Sequence, residues 1–201
     1  KGRVIYQKAF GHHTYDQKKP VLKSDLYDLA TLTKILASTS SLIKLQGEGK
    51  FSMDSTLGHY LPELDTADER DLVIQDVLTH HAGLKSWVPF WLNTMDNVKY
   101  NMRKKGFETK GAKYKDGMYS TTETEEYPIK VAKNLYLIAS YKDSIYDYIL
   151  REPVELVEKK YLYSDLGYFF VKKIIEKLTE TTLDTFVRES FYAPLGLRTL
   201  C

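Results

Sequence analysis

Thr31 and Lys34 set a hydroxyl and an amine three residues apart. On a helix that spacing places both side chains on one face, close enough to touch. A hydroxyl in the first turn lies beside unpaired backbone N–H groups and the positive end of the dipole. A lysine one turn later, if desolvated, holds its proton less tightly and can act as a base toward that hydroxyl. The chemistry open to such a pair is nucleophilic attack on a carbonyl. An amphipathic helix with a chance hydroxyl is the simpler explanation for these four residues taken alone. Ser41 and Lys44 repeat the spacing deeper in the same segment, but a mid-helix hydroxyl lacks the free amides of a helix start, so Thr31 ranks ahead.

The elements that must position this pair follow from periodicity. Leu32, Ile35, Leu36, Thr39, Leu42 and Ile43 recur at helical spacing and predict a helix over 31–47 packed on a core, closed by Gly47 and Gly49. Upstream, Val4–Phe10 mixes β-branched and aromatic residues and predicts a strand in a small sheet. His12 and His13 form a turn; adjacent histidines point apart on any regular element, so a metal site is not expected there. Val73–Thr79 predicts a brief helix capped by the loop His80–Leu84, whose histidines are read as packing residues. Residues 97–128 hold Lys99, Arg103, Lys104, Lys105, Lys110, Lys113 and Lys115, then Glu123, Glu125 and Glu126. That pattern predicts a surface insertion with offsetting charges, and its aromatics are not spaced to stack nucleic-acid bases. Further helices are expected over 130–149, 164–179 and 182–191, the last stopped by Pro194-Leu195-Gly196. The sum is an α-rich α+β domain over 1–201, with Thr31 and Lys34 expected in a cleft.

Composition narrows the function classes. Of 201 residues, 43% are hydrophobic and 28% charged, the balance of a soluble globular chain. The formal net charge of +2 gives no broad attraction to nucleic acid or membrane. A single cysteine, Cys201, leaves no internal disulfide or cysteine-based zinc site to expect. No apolar run has membrane-spanning length; the chain starts at Lys1 directly inside a strand-like run, with no initiator Met, so the lack of a signal-peptide pattern in it carries little weight.

Four segments in order then resemble the serine β-lactamase and D-alanyl-D-alanine peptidase superfamily. Asp28–Lys34 resembles its S-x-x-K motif, with Thr31 at the serine position. Val77–Leu84 resembles its L-L-x-H-x-S-G-L loop, and Tyr163-Ser164-Asp165 its Y-x-N motif, with Asp for Asn. Phe191–Leu197 resembles the helix ending F-x-P-L-G-M. Phe10–Asp16 and Tyr127–Ala132 further resemble the β-lactamase-like module of Bacteroidetes proteins that follows a family-three glycoside hydrolase of the β-N-acetylglucosaminidase type.

The resemblance implies a fragment of the β-lactamase/transpeptidase-like fold and an acyl-enzyme mechanism without metal or cofactor. Thr31 would attack, Lys34 and Tyr163 would move protons, and Ser164 and Asp165 would bind substrate. Asp165 would also favour a charged Lys34, against its use as a base. Implied substrates are peptidoglycan peptides, β-lactams or esters, in the periplasm or outside the cell, with a fused or associated glycoside hydrolase as partner. The third motif, K-T-G or H-x-G, is expected on a strand downstream of the last helix, past Cys201. A methyl-bearing nucleophile and that missing motif predict weak activity. The alternatives are an inactive module that binds cell-wall fragments or supports a fused hydrolase, and an unrelated helical scaffold.

Overall fold

The computed structural model describes residues 2–155 and 160–197; Cys201 lies outside them. Helix α1 opens as a π-helical stretch, Lys34–Thr39, and continues as an α-helix, Ser40–Gly47. Hydroxyls occupy the carbonyls of the widened turns: Ser40 Oγ donates to Ile35 O (2.9 Å) and Ser41 Oγ to Ala37 O (2.7 Å). Tyr192 Oη donates to Leu36 O at 2.5 Å. Serines that bond the preceding turn compete with the helix ladder, which accounts for the departure from α geometry here. Helices α2 (Leu57–Tyr60) and α3 (Ile74–Leu78) follow.

A β-rich stretch comes next, in seven short strands: β1 (Met95–Asp96), β2 (Lys99–Asn101), β3 (Gly106–Glu108), β4 (Lys113–Tyr114), β5 (Tyr119–Ser120), β6 (Ile129–Ala132) and β7 (Leu135–Leu137). All pairings are antiparallel: β1 with β4, β2 with β3, and a sheet of order β5-β7-β6. Residues 97–128 therefore carry hairpins. Tyr119 Oη anchors them by donating to Thr94 Oγ1 (2.9 Å), which itself donates to Trp91 O (2.8 Å).

The chain closes with α4 (Tyr141–Ile149), α5 (Leu166–Thr179) and α6 (Leu183–Val187), the last running on as a π-helical turn, Arg188–Tyr192. Helix α5 is the hub: Val171, Ile174 and Ile175 are wholly buried, against Leu42 and Leu45 of α1, Ile74 and Val77 of α3 and Leu57 of α2. Each such side chain contributes about 1.5–3 kcal/mol through burial. Gly167 sets the closest approach, since a Cβ there would lie 2.4 Å from Val77 Cγ1. This mixture of helices and small antiparallel sheets is the expected α+β class.

Three expectations need correction. Val4–Phe10 pairs with no strand among the described residues, and Val4, Ile5, Tyr6 and Phe10 are exposed. β-branched residues favour a pleated, half-buried surface, and without a neighbour that preference builds nothing. The sheet forms at 95–137 instead. Second, the helix over 130–149 shrinks to Tyr141–Ile149. Ile129 and Val131 obey a period of two, and Lys133-Asn134, with Asn134 at φ 54°, turns β6 into β7. Third, α1 buries Ser38, Ser41, Leu42 and Leu45, whereas Leu32, Ile35 and Ile43 are exposed. The helix is apolar on two sides, and α5 covers one.

Candidate active site

Thr31 sits on a turn just before α1. Ala30 takes a left-handed conformation (φ 45°), held by its N–H donating to Asp28 Oδ1 (2.7 Å) and its carbonyl accepting from Thr33 N (3.0 Å). A left-handed alanine costs on the order of 1–2 kcal/mol. The bend presents the Thr31 side chain at the surface, where it is exposed.

Tyr163, from the segment before α5, donates its hydroxyl to Thr31 Oγ1 at 3.1 Å, across 132 positions of sequence. Lys34, one turn into the helix, places Nζ 2.5 Å from Asp165 Oδ1. The same ammonium lies 5.2 Å from the Tyr163 ring centre and 5.4 Å from that of Tyr168, within cation–π range. Thr31, Lys34, Tyr163 and Asp165 thus form one connected cluster at the N-terminal ends of α1 and α5.

Burial pulls the Lys34 pKa down, but hydrogen bonds to Asp165 and Tyr163, with their charges, outweigh it and raise the pKa above the ordinary 10.5. Lys34 is therefore an ammonium at neutral pH. The expectation of a desolvated, easily deprotonated lysine is corrected on this point: Asp165 supplies a counter-charge that desolvation does not overcome.

Ser164 occupies the motif position expected to bind substrate, yet its side chain turns inward. It is 4% exposed; its Oγ donates to Lys85 O (2.7 Å) and accepts from Leu166 N (3.1 Å). Asp165 N donates to Ser86 O at 2.8 Å. These bonds tie the Tyr163–Asp165 turn to the 80–86 loop. Gly83 is part of that seam: at φ 71°, it accepts from Glu155 N (3.0 Å), and a Cβ there would meet Glu155 O at 2.1 Å.

His80, read from sequence as a packing residue, touches the cluster. Its ring centre lies 4.4 Å from that of Tyr163, and its Nδ1 accepts from Ser164 N at 3.2 Å. Its place in the loop that resembles L-L-x-H-x-S-G-L was the available signal; its left-handed backbone (φ 62°) was not legible. Ser41, the rival hydroxyl, is fully buried, and Lys44 pairs with Glu48 at 2.8 Å. His13 pairs with Asp25 at 2.8 Å. Among the described residues no three His, Cys, Asp or Glu side chains are grouped to hold a metal ion.

A cavity of about 210 Å³ lies between α1 and α6, lined by Leu29, Thr33, Leu36, Leu183, Val187 and Tyr192; Thr31 and Lys34 do not line it. The Thr31–Lys34–Tyr163–Asp165 cluster is at the surface beside this cavity rather than inside it. Among the described residues, no helix is long and apolar enough to cross a membrane.

Comparison with known proteins matches the chain to a family. The Beta-lactamase family model covers residues 1–200. A protein of Escherichia coli K12, provisionally named a D-alanyl-D-alanine carboxypeptidase, is 30% identical over 209 residues, 97% of this chain and 39% of its own length. An N-acetylmuramyl-L-alanine amidase of Bacillus subtilis is 26% identical, over 98% of this chain and 39% of its own. The chain thus spans about two-fifths of the length of these relatives. Among solved structures, a D-amino acid amidase of Ochrobactrum anthropi aligns with 93% of this chain and 41% of its own (TM-score 0.58, 19% identity). A class C beta lactamase of Rhodobacter sphaeroides aligns with 94% and 40% (TM-score 0.54, 17% identity). The fold is that of these enzymes, and the chain belongs to the beta-lactamase family of serine-hydrolase-type domains.

Proposed function

We propose that this chain carries the nucleophile-bearing part of a slow acyl-transfer hydrolase, with Thr31 as nucleophile. Its substrates would be peptidoglycan-derived peptides, β-lactams or esters. The observation that carries this reading is the 3.1 Å hydrogen bond joining Tyr163 Oη to Thr31 Oγ1 beside the Lys34 ammonium. As Oγ1 bonds to the substrate carbonyl carbon, its proton passes to the oxygen of Tyr163 while that phenol's own proton moves toward the leaving group, and the Lys34 ammonium stabilises the negative charge that develops on the relay. The phenol's proton reaches the leaving nitrogen or oxygen as the old acyl bond breaks. Water hydrolyses the resulting threonyl ester and releases the acid.

Asp165 keeps Lys34 charged and in place, and Ser164 holds the turn that carries both flanking side chains. The slow rate follows from the threonine methyl group, which restricts the rotamer and crowds the attack. The carboxypeptidase and amidase names of the relatives support the peptide substrates and a periplasmic or extracellular location. The stretches that resemble modules fused to family-three glycoside hydrolases support such an enzyme as partner.

The test is hydrolysis of a chromogenic β-lactam, a p-nitrophenyl ester and a D-Ala-D-Ala peptide. Thr31→Ala should abolish any turnover, and Tyr163→Phe should lower it by on the order of 10²–10⁴-fold, the usual worth of a positioned proton carrier. Turnover that survives Thr31→Ala would show that the nucleophile lies elsewhere.

A further inference from the structure

We propose that His80 is a positioning residue for Tyr163: a neutral imidazole that clamps the backbone on both sides of the tyrosine and lets go when it takes a second proton. This rests on the acyl-transfer reading for its kinetic consequences, and on geometry alone for the clamp.

The geometry is specific to one residue. His80 O accepts the N–H of Leu162 at 2.9 Å, and His80 Nδ1 accepts the N–H of Ser164 at 3.2 Å. Tyr163 is thus bracketed by two hydrogen bonds to a single partner, while the imidazole ring packs on the phenol at 4.4 Å between centres and 41° between planes. The left-handed backbone of His80 (φ 62°) lets its carbonyl and ring reach the same segment. Such a conformation is uncommon for a residue with a Cβ and persists where surrounding contacts impose it. Its N–H donates to Val77 O (3.2 Å) and its ring also meets Tyr161 and Tyr168, both 6.0 Å between centres; its link to Thr31 runs through Tyr163, which donates to Thr31 Oγ1.

The clamp depends on protonation state. A ring nitrogen that accepts an N–H carries no proton, so neutral His80 is the Nε2–H tautomer. The imidazolium has N–H groups at both nitrogens and would direct Nδ1–H at Ser164 N–H, which breaks that bond. Groups facing the ring are Lys34 from α1, Tyr168 from α5, Tyr161, Tyr163 and Asp165 from the segment before it, and neighbouring His81. Burial first, then Lys34 and His81, disfavour the imidazolium; Asp165 favours it. The balance holds the pKa below the ordinary 6.5. The clamp is closed at neutral pH and opens in acid. A shift of about 1 Å in a reacting group costs roughly 10²-fold in rate, so opening reads out as lost acylation.

Two substitutions separate the acceptor from the fold. His80→Asn keeps an acceptor near the Nδ1 position, tolerates the left-handed backbone and does not titrate. His80→Gly keeps the backbone and removes the acceptor. Single-turnover acylation by a fluorescent penicillin would be followed from pH 5 to 8, alongside long-range proton–nitrogen NMR of His80 and the Ser164 amide. The clamp predicts an Nε2–H tautomer, a Ser164 amide that titrates with His80 below pH 6.5, and a wild-type rate that falls over the same range. His80→Asn should keep most of the neutral-pH rate and lose that acid limb, and His80→Gly should lose roughly 10²-fold at pH 7. An Nδ1–H tautomer, a Ser164 amide indifferent to His80, or an unchanged acid limb in His80→Asn would overturn the proposal. A wild-type chain never acylated would sink the acyl-transfer reading instead, and the NMR arm would still decide the clamp.

Discussion

Lys34 Nζ lies 2.5 Å from Asp165 Oδ1, and this pair determines which protonation state the lysine brings to Thr31. With a carboxylate on one side and a phenol on the other, the lysine is an ammonium at neutral pH. In the proposed mechanism its part is electrostatic, and the proton path runs through Tyr163. Asp165→Asn should lower the Lys34 pKa, followed through its ε-carbon by NMR, because it removes the hydrogen-bonded counter-charge. On the alkaline side the stability of the pair is lost as pH rises from 10.5 through the raised folded value. With the Asp165 side chain 45% exposed, the substitution should cost no more than about 1 kcal/mol at pH 7. An unchanged Lys34 titration would contradict the assigned cause.

In the intact domain, Thr31→Ser should raise the acylation rate by on the order of 10²-fold, the scale of a relieved misplacement near 1 Å. Only a methyl group is removed, and the hydroxyl stays within reach of Tyr163. Stopped-flow acylation by a penicillin probe reads this directly. No gain would mean that the threonine methyl is not what slows the reaction.

Much of this site was legible in the sequence, and the rest was not, for identifiable reasons. Thr31 and Lys34 flank the start of α1, so a spacing of three brought them to one cluster, where Thr31 bonds Tyr163 and Lys34 bonds Asp165. Tyr163 and Asp165 are 132 and 131 residues from their partners; the resemblance named them, and periodicity alone could not. The direction of the Ser164 side chain was hidden, because an inward hydroxyl depends on where Lys85 O falls. Helices α5 and α6 followed the apolar period, whereas Val131, Leu135 and Ile138 fit helix and hairpin alike until the Lys133-Asn134 turn decides.

Glu69→Gln should stabilise the protein at neutral pH. Glu69 is 2% exposed, and its Oε1 has no hydrogen-bond partner among the described residues. Burial, aided by Asp68, raises its pKa above the ordinary 4.5. The folded state therefore binds the extra proton, and stability falls as pH rises from 4.5 through the raised value. The amide removes that dependence and should contribute about 1 kcal/mol at pH 7, or roughly 2–4 °C in Tm for a chain of this size. A lower Tm for the variant across the neutral range would count against an uncompensated carboxylate.

Gly83→Ala should unseat the loop that carries the site. The position needs φ 71° and has no room for a Cβ beside Glu155 O. The left-handed backbone alone costs about 1–2 kcal/mol for alanine, and the clash adds to it. Hydrogen exchange should show faster opening at Glu155, Leu162 and Ser164, while the buried amides of α5 change less. Uniform protection in the variant would mean that the loop does not depend on this close approach.

The central claim is that the Thr31 hydroxyl is the acyl acceptor. Intact-mass measurement after incubation with a reactive β-lactam, followed by peptide mapping, tests it most directly. The account predicts one covalent adduct, gained slowly, located on the peptide bearing Thr31 and absent in Thr31→Ala. An adduct on any other residue, or one that persists in Thr31→Ala, would contradict it.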